Sequence, residues 1–340
     1  MHRQTVIFKR ILTRIIGFIV AMFLLSVIVF YIARLAPGDP LQSFYGDALD
    51  TMTPQELQNA KERLGLDAPT YIQYLKWVAN AFHGDFGMSL KYKLPVMEVV
   101  TPLVSNTLIL GGISYVVVFF FAILLAICCA LNEDSMMDRI ISKVGTAAFY
   151  IPAFWMGVVL ILLFSINLGW FPSSGAYDFG KAGDFWNRLQ HLILPICVMV
   201  LSHLWYYAYM FRNKLLDEFR KDYILLAKMK GLKKIELVRK HSLRNIAPTI
   251  ISIMAISTPH ILSGTYIVEA VFNYPGLGAL SIESAKYHDY NLLMLLVLIT
   301  GVLVIASSMI AKSINEVIDP RMKEMEAATW QKEPTNSSGS

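Results

Sequence analysis

The side chains of this 340-residue chain that could do chemistry are few and scattered. Its three cysteines, Cys128, Cys129 and Cys197, lie inside apolar runs. No CxxC or Cys/His spacing suited to zinc accompanies them, so they read as small buried hydrophobes. Two of the seven histidines, His203 and His260, also fall within apolar stretches. Glu133, Asp134 and Asp138 form an acidic turn with the character of a solvated loop. The chain has no G-x-x-x-x-G-K-[ST] loop to cradle nucleotide phosphates, no G-x-S-x-G elbow and no H-E-x-x-H helix. No catalytic residue and no metal ligand is assigned. The one dense feature is electrostatic. Residues 212–247 hold eleven Lys/Arg and four acids, a net +7 against +5 for the entire chain. Basicity this local does not suit a nucleic-acid partner.

The elements that must carry these groups are greasy. The chain is 55% hydrophobic and 16% charged, against about 25% charged for an ordinary soluble domain, and its mean hydropathy is +0.50. This is the composition of a polytopic membrane protein. A spanning helix takes about 20 apolar residues, and six candidates meet that length, near 11–33, 105–131, 140–167, 190–211, 248–270 and 291–313. The first is too long for a signal-peptide core and has no A-x-A site after it, so it reads as a retained helix. Six spans place the basic N-terminus (1–10), the 132–139 turn, the basic block and a polar tail (314–340, with a disordered end) on one side. The positive-inside rule makes that side cytoplasmic. The segment 34–104 is then extracytoplasmic, and 105–313 forms a five-helix core containing the loop 212–247.

The outer segment has its own helix signals. Thr53 is an N-cap candidate, Pro54 follows at the first helical position and Glu56 sits at the capping-box position. YIQYLKWVANAF is a second amphipathic run. Two short helices over the outer mouth of the bundle are expected. Within the basic block, KDYILLAKMKGL has helical period, Gly231 stands where a helix would end, KKIELVRKH resumes the period, and Pro248 opens the next span. Two readings of this helix–Gly–helix unit stand together. Its charges could serve topology and lipid headgroups, each worth about 1 kcal/mol near an anionic surface. Alternatively, the unit is a rigid peg for a cytoplasmic partner, which accounts as well for its apolar stripe and the small Ala227.

The spacing Ala227-x-x-x-Gly231, then His241-x-x-Arg244-Asn245 and Pro248, resembles the cytoplasmic EAA loop of bacterial ABC-importer permeases. The resemblance runs over about residues 9–321 and is nearest to the B-type permeases of dipeptide, oligopeptide and nickel uptake systems. It is carried by RLAPGDP (34–40), RLGLD (63–67), GDFGMS (84–89), IPAFWMG (151–157), LGWFPSSG (168–175), HLILP (191–195), VEAVFNYPGLG (268–278) and IDPR (318–321). The chain departs at the loop itself, where the Glu-Ala-Ala positions are Leu225, Leu226 and Ala227, and Met229 replaces a small residue.

What the resemblance implies is an all-α permease of the type I importer fold, with six transmembrane helices and short extracytoplasmic helices after the first. It would sit in a bacterial plasma (inner) membrane with both termini cytoplasmic. The implied partners are a homologous second permease, two ABC ATPase subunits, an extracytoplasmic solute-binding protein and the lipid bilayer. ATP and Mg would be bound by the ATPases, and this chain would hold no cofactor. Its implied role is half of a translocation pathway for di- or oligopeptides, with a nickel or nickel–metallophore complex as the alternative. The resemblance assigns ATPase coupling to Asp222, Tyr223, Ala227, Lys230, Gly231 and Leu232. It assigns an outer gate to Glu269, Phe272, Asn273, Tyr274, Pro275, Gly276 and Gly278. Depth alone suggests His203, Tyr206, His260 and Tyr266 for the pathway; an interhelical hydrogen bond is the other role for each histidine. A passive channel or a membrane scaffold is the rival class, and neither needs a peg or the ordered outer motifs.

Overall fold

The computed structural model describes residues 2–35, 39–148 and 150–318. Part of RLAPGDP, most of IDPR and the tail from 319, with its expected disorder, lie outside the described residues. The described residues are mainly helical. The elements are α1 (His2–Leu35), α2 (Pro40–Tyr45), α3 (Pro54–Arg63), α4 (Thr70–Phe82), α5 (Val96–Leu131), α6 (Met136–Ala148), α7 (Ala153–Leu160), α8 (Phe185–Phe219), α9 (Asp222–Met229), α10 (Lys234–Leu237), α11 (Leu243–Val271), α12 (Leu277–Lys286) and α13 (Tyr290–Ile318). A π-helical stretch, Ile161–Asn167, continues α7, and another, Val238–Ser242, joins α10 to α11. Among the described residues the only β feature is the isolated bridge between Met88 and Pro95.

Among the described residues, five helical stretches are long and apolar enough to cross a membrane: Leu12–Leu35, Val96–Leu131, Phe185–Phe219, Lys234–Val271 and Tyr290–Ala311. The third expected span, 140–167, is not one helix. α6 ends at Ala148 and α7 begins at Ala153. Pro152 lies in the break, where it offers no N–H and restricts the residue before it. Pro248 does not open a helix either. It lies inside α11, as does Pro259. The segment expected as a tail from 314 begins within α13, which runs to Ile318.

Contacts divide the chain into two compact units. The first comprises Met1–Ile113, Ala153–Val198 and Leu262–Ile305. Its core is Val96, Val100, Leu277, Leu280, Leu292, Leu295 and Leu296. The expected cap of α3 is present: Thr53 accepts the Glu56 N–H at 3.4 Å, and the Glu56 carboxylate accepts the Thr53 N–H at 2.8 Å. These bonds hold the Glu56 carboxyl below its ordinary value. α4 lies along α1 and α13, through Tyr74 against Phe30 and Met294. Asp289, fully buried, caps α13 by accepting the Leu292 N–H at 3.3 Å. It also accepts the Lys91 N–H at 3.1 Å and the Ser89 hydroxyl, pinning the 88–95 loop to the start of that helix.

The second unit comprises Ser114–Pro152, Met199–Ile261 and Ala306–Ser340. Phe119, Tyr207 and Phe211 stack at its centre, with Phe119 and Tyr207 ring centroids 4.8 Å apart. Gly145 lets α6 approach α8 closely, since a Cβ there would sit 3.1 Å from the Trp205 carbonyl oxygen.

Asp289→Ala removes a cap and leaves the Lys91 N–H and the Ser89 hydroxyl without their acceptor. It is expected to destabilise the protein by about 2–4 kcal/mol, whereas Glu56→Ala at an exposed cap costs less. Thermal unfolding of the purified variants checks the order; equal shifts would contradict it.

Candidate functional site

The basic segment folds as expected in outline and with a different inner face. α9 begins after Lys221 and ends in a Schellman motif: the Gly231 N–H bonds the Lys228 carbonyl at 3.0 Å and the Leu232 N–H bonds the Ala227 carbonyl at 3.4 Å. Gly231 has φ +85°, which an L side chain adopts only with strain, while the space its Cβ would occupy is open. Leu232 folds back onto a small core of Ile224, Ala227 and Leu237. Ala227 is therefore spent inside the unit, where its size lets α9 and α10 pack. The outward apolar face is Leu225, Leu226, Met229 and Ile235, with Met229 85% exposed.

A buried carboxylate holds this unit in place. Glu218, near the end of α8, accepts the Tyr223 hydroxyl and pairs with the Lys221 ammonium at 2.5 Å. The Asn245 amide of α11 donates to the same Tyr223 oxygen at 2.6 Å. Tyr223 thus ties α9 to two long helices at once. Desolvation, with the bond to Glu218 second, pushes its hydroxyl above the ordinary tyrosine value. Asp222 and Lys230 bound α9 at its first residue and its C-cap.

The acidic turn is solvated at Glu133 and Asp134 but not at Asp138. Asp138 is buried and takes a bidentate pair from Arg212, with one N–O distance of 2.5 Å, plus the Asp134 N–H at 3.0 Å. The Arg212 hydrogen bonds hold the Asp138 carboxyl below its ordinary range. Glu133 pairs with Arg220 at 2.9 Å, and the Lys234 ammonium donates at 3.1 Å to the Leu131 carbonyl at the end of α5. Part of the basic block is thus neutralised within the chain.

The second expected group is a joint between α11 and α12, within the first unit. Glu269 is fully buried, and one of its oxygens accepts the Gly278 N–H at 2.7 Å, placing a carboxylate at the N-terminus of α12. Its Oε1 has no hydrogen-bond partner. Gly276 and Gly278 are required by contact. A Cβ at 276 would lie 2.3–2.5 Å from the Glu269 carboxylate, and one at 278 would lie 2.3 Å from the Tyr266 Cα. Asn273 takes φ +43° at the turn. The Phe272 carbonyl accepts the Gly175 N–H at 3.0 Å, and the Pro275 carbonyl accepts the Asn106 amide at 2.8 Å. Thr107 accepts the Leu277 N–H at 2.8 Å. Burial pushes the Tyr274 hydroxyl up to about 12, so it stays neutral. A cleft of about 490 Å³ opens beside this turn, lined in part by Tyr92, Tyr177, Asn273, Tyr274 and Glu283.

The third group separates. In the second unit the His203 ring meets His260 edge to face at 5.1 Å, and its Nδ1 lies 2.9 Å from the Met199 carbonyl. Tyr206 is partly exposed and packs on Tyr207 with ring centroids 5.2 Å apart. Tyr266 belongs to the first unit, where its hydroxyl bonds Thr300. Sequence reasoning passed over Glu218, Arg212, Asn106 and Thr107 as site residues, although each is a polar or charged residue within a long helix. Asn245 was visible in the loop motif without its partner.

The family profile described as the binding-protein-dependent transport system inner membrane component matches residues 122–324, and that of its N-terminal part matches residues 7–108. The oligopeptide transport system permease protein AppB of Bacillus subtilis (strain 168) is 33% identical over 300 residues, 88% of this chain and 94% of that protein. The glutathione transport system permease protein GsiC of Escherichia coli (strain K12) is 31% identical over 313 residues, 92% of this chain and 98% of that protein. Among solved structures, the inward-facing MetNI methionine ABC transporter aligns with a TM-score of 0.55 at 16% identity, over 66% of this chain and 97% of that one, a likeness of fold alone.

Gly278→Ala meets backbone and is expected to cost about 1–3 kcal/mol by overpacking. Gly231→Ala meets only its own φ, about 1 kcal/mol, and Gly231→Asn should recover most of that. Thermal unfolding that ranks Gly231→Ala as the more damaging would contradict the geometry. For Asp138, a depressed folded pKa means stabilisation present above the unfolded value and lost as pH falls. The Tm gap between wild type and Asp138→Asn should hold above about pH 5 and narrow as pH drops through about 4. A gap that widens on acidification would contradict the assignment.

Proposed function

The chain belongs to the family of binding-protein-dependent transport system inner membrane components, and from that premise we propose that it is the permease subunit of an ATP-driven importer, forming half of the pathway for di- and oligopeptides. The observation that carries this reading is the α9–Gly231–α10 unit. It is a braced, basic, two-helix projection with an apolar face that is exposed among the described residues. The projection suits docking on a separate subunit that hydrolyses ATP, since this chain has no phosphate-binding loop. Force on α9 would pass to α8 and α11 through Glu218, Tyr223 and Asn245. The coupling set then divides by role. Leu225, Leu226 and Met229 make contact, Tyr223 and Asn245 transmit, and Ala227, Gly231 and Leu232 shape the unit. Asp222 and Lys230 mark the two ends of α9.

With the shorter apolar helix Ala153–Asn167 as the sixth crossing, the positive-inside rule puts this projection and both termini in the cytoplasm. A homologous second permease would complete the pathway, two ABC ATPase subunits would bind ATP and Mg, and an extracytoplasmic solute-binding protein would deliver cargo. The Glu269–Gly278 joint serves as the outer gate, and His203, Tyr206 and His260 face the pathway. The peptide assignment follows the relatives named for oligopeptide and glutathione transport. The nickel or nickel–metallophore alternative is not better supported by these relatives.

The test is the reconstituted complex with its binding protein, challenged with dipeptides, penta- to octapeptides, and nickel with or without histidine. Peptides should stimulate ATP hydrolysis. Leu226→Glu combined with Met229→Glu, and separately Gly231→Glu, should lower stimulated hydrolysis and uptake at least about tenfold while membrane expression holds, because a charge at a desolvated contact is costly. Full activity in these variants would remove the docking role, and stimulation by nickel complexes alone would replace the substrate.

A further inference from the structure

α4 has three distinct sides. Tyr71, Leu75 and Phe82 are 59%, 62% and 87% exposed, and at about 100° per residue they fall within about 40° of one another. The opposite side carries Gln73, Lys76 and Asn80, which line a cleft of about 350 Å³ with Arg34, Arg63 and Asp85. Between these two sides, Tyr74, Trp77 and Val78 pack on Phe30 and Met294. An amphipathic helix whose apolar side faces away from its own protein has an occupant still to be named.

Its position names one. The Tyr74 hydroxyl lies 2.8 Å from Ser26 Oγ, and its ring meets Phe23 at 6.5 Å and Phe30 at 5.2 Å. Phe23, Ser26 and Phe30 precede the end of the apolar stretch Leu12–Leu35 by five to twelve residues, which is about 8–18 Å along the helix. Met294 lies four residues inside the stretch Tyr290–Ala311, about 6 Å from its end. In a hydrocarbon layer about 30 Å thick, a helix packed at these levels is not in bulk water. Only 11% of the α1 stretch is buried within the chain, and Phe23, which touches Tyr74, is itself 56% exposed. The bare side of α4 therefore continues the bare side of a spanning helix. Aromatic side chains with polar tips suit such a boundary.

We propose that α4 is an interfacial helix. Tyr71, Leu75 and Phe82 enter the acyl region of one leaflet, and the Arg34–Lys76 cleft faces the adjoining water. Which leaflet this is follows the orientation proposed above; the insertion itself stands without it. The occupant we commit to is phospholipid rather than a partner protein, because the face continues the bare side of an apolar helix long enough to span.

The experiment places a single nitroxide by Tyr71→Cys, Leu75→Cys, Phe82→Cys, Lys76→Cys or Asn80→Cys, with the three native cysteines changed to alanine. The full chain is studied in its assembled complex in phospholipid nanodiscs, and power saturation compares oxygen, which partitions into lipid, with a water-soluble nickel chelate. Labels at 71, 75 and 82 should collide several-fold more with oxygen than with the chelate, and labels at 76 and 80 should show the reverse. Chelate-dominated relaxation at 75 and 82 would place the face in water and overturn the proposal. Protection from both reagents would place a protein partner there and overturn it equally. Failure of the peptide reading would leave this pattern unchanged, so the two are separable.

Discussion

Everything assigned to the basic segment depends on Glu218. A carboxylate this buried is stable only with partners, and these include the Lys221 ammonium and the Tyr223 hydroxyl. Because Tyr223 also accepts from Asn245, one small network fixes the first turn of α9 against α8 and α11. Without it, an eight-residue helix would be too short to hold itself. With it, α9 becomes a lever whose direction is set by the helices behind it.

The same constraint recurs across the chain. A helix end inside a low-dielectric protein must find hydrogen-bond partners. Here Asp289 is a local cap, and the other partners come from residues outside the helix they serve. Glu269 serves α12, Asp289 serves α13, Thr107 and Asn106 serve the turn before α12, and Lys234 serves the carboxyl end of α5. Charges and amides are rare in this sequence, and those at these helix ends close them. That economy explains why the glycines of the outer motif are contact glycines. Gly276 and Gly278 make room for Glu269 and for Tyr266, and the turn they build is as rigid as its neighbours allow.

Much of this was legible in the sequence, for definite reasons. Five long helices follow from apolar run length, the α3 cap from Thr53 and Glu56, and the end of α9 from Gly231, since each rests on local chemistry. What was not legible rests on pairings across the chain. Asp138 reads as a loop acid until Arg212 is brought against it from 74 residues away. Ala227 reads as a docking surface until Leu237 covers it. The third span looked continuous because hydropathy averages over the break that holds Pro152, and only backbone geometry shows two helices there. His203 and His260 met as neighbours, but Tyr266 is engaged elsewhere with Thr300, because depth in a span does not tell which way a side chain turns.

On the proposed function, the chain converts motion imposed at α9 into movement of the helices it is braced to. The most direct check is where the exposed tip of that unit lies in the assembled complex. A photo-crosslinking side chain in place of Met229, activated in native membranes, is predicted to give one dominant adduct with the ATPase subunit. The same group in place of Lys91, in the 88–95 loop, should give none. Adducts of Met229 with lipid alone would contradict the account and leave the basic segment a membrane-surface element.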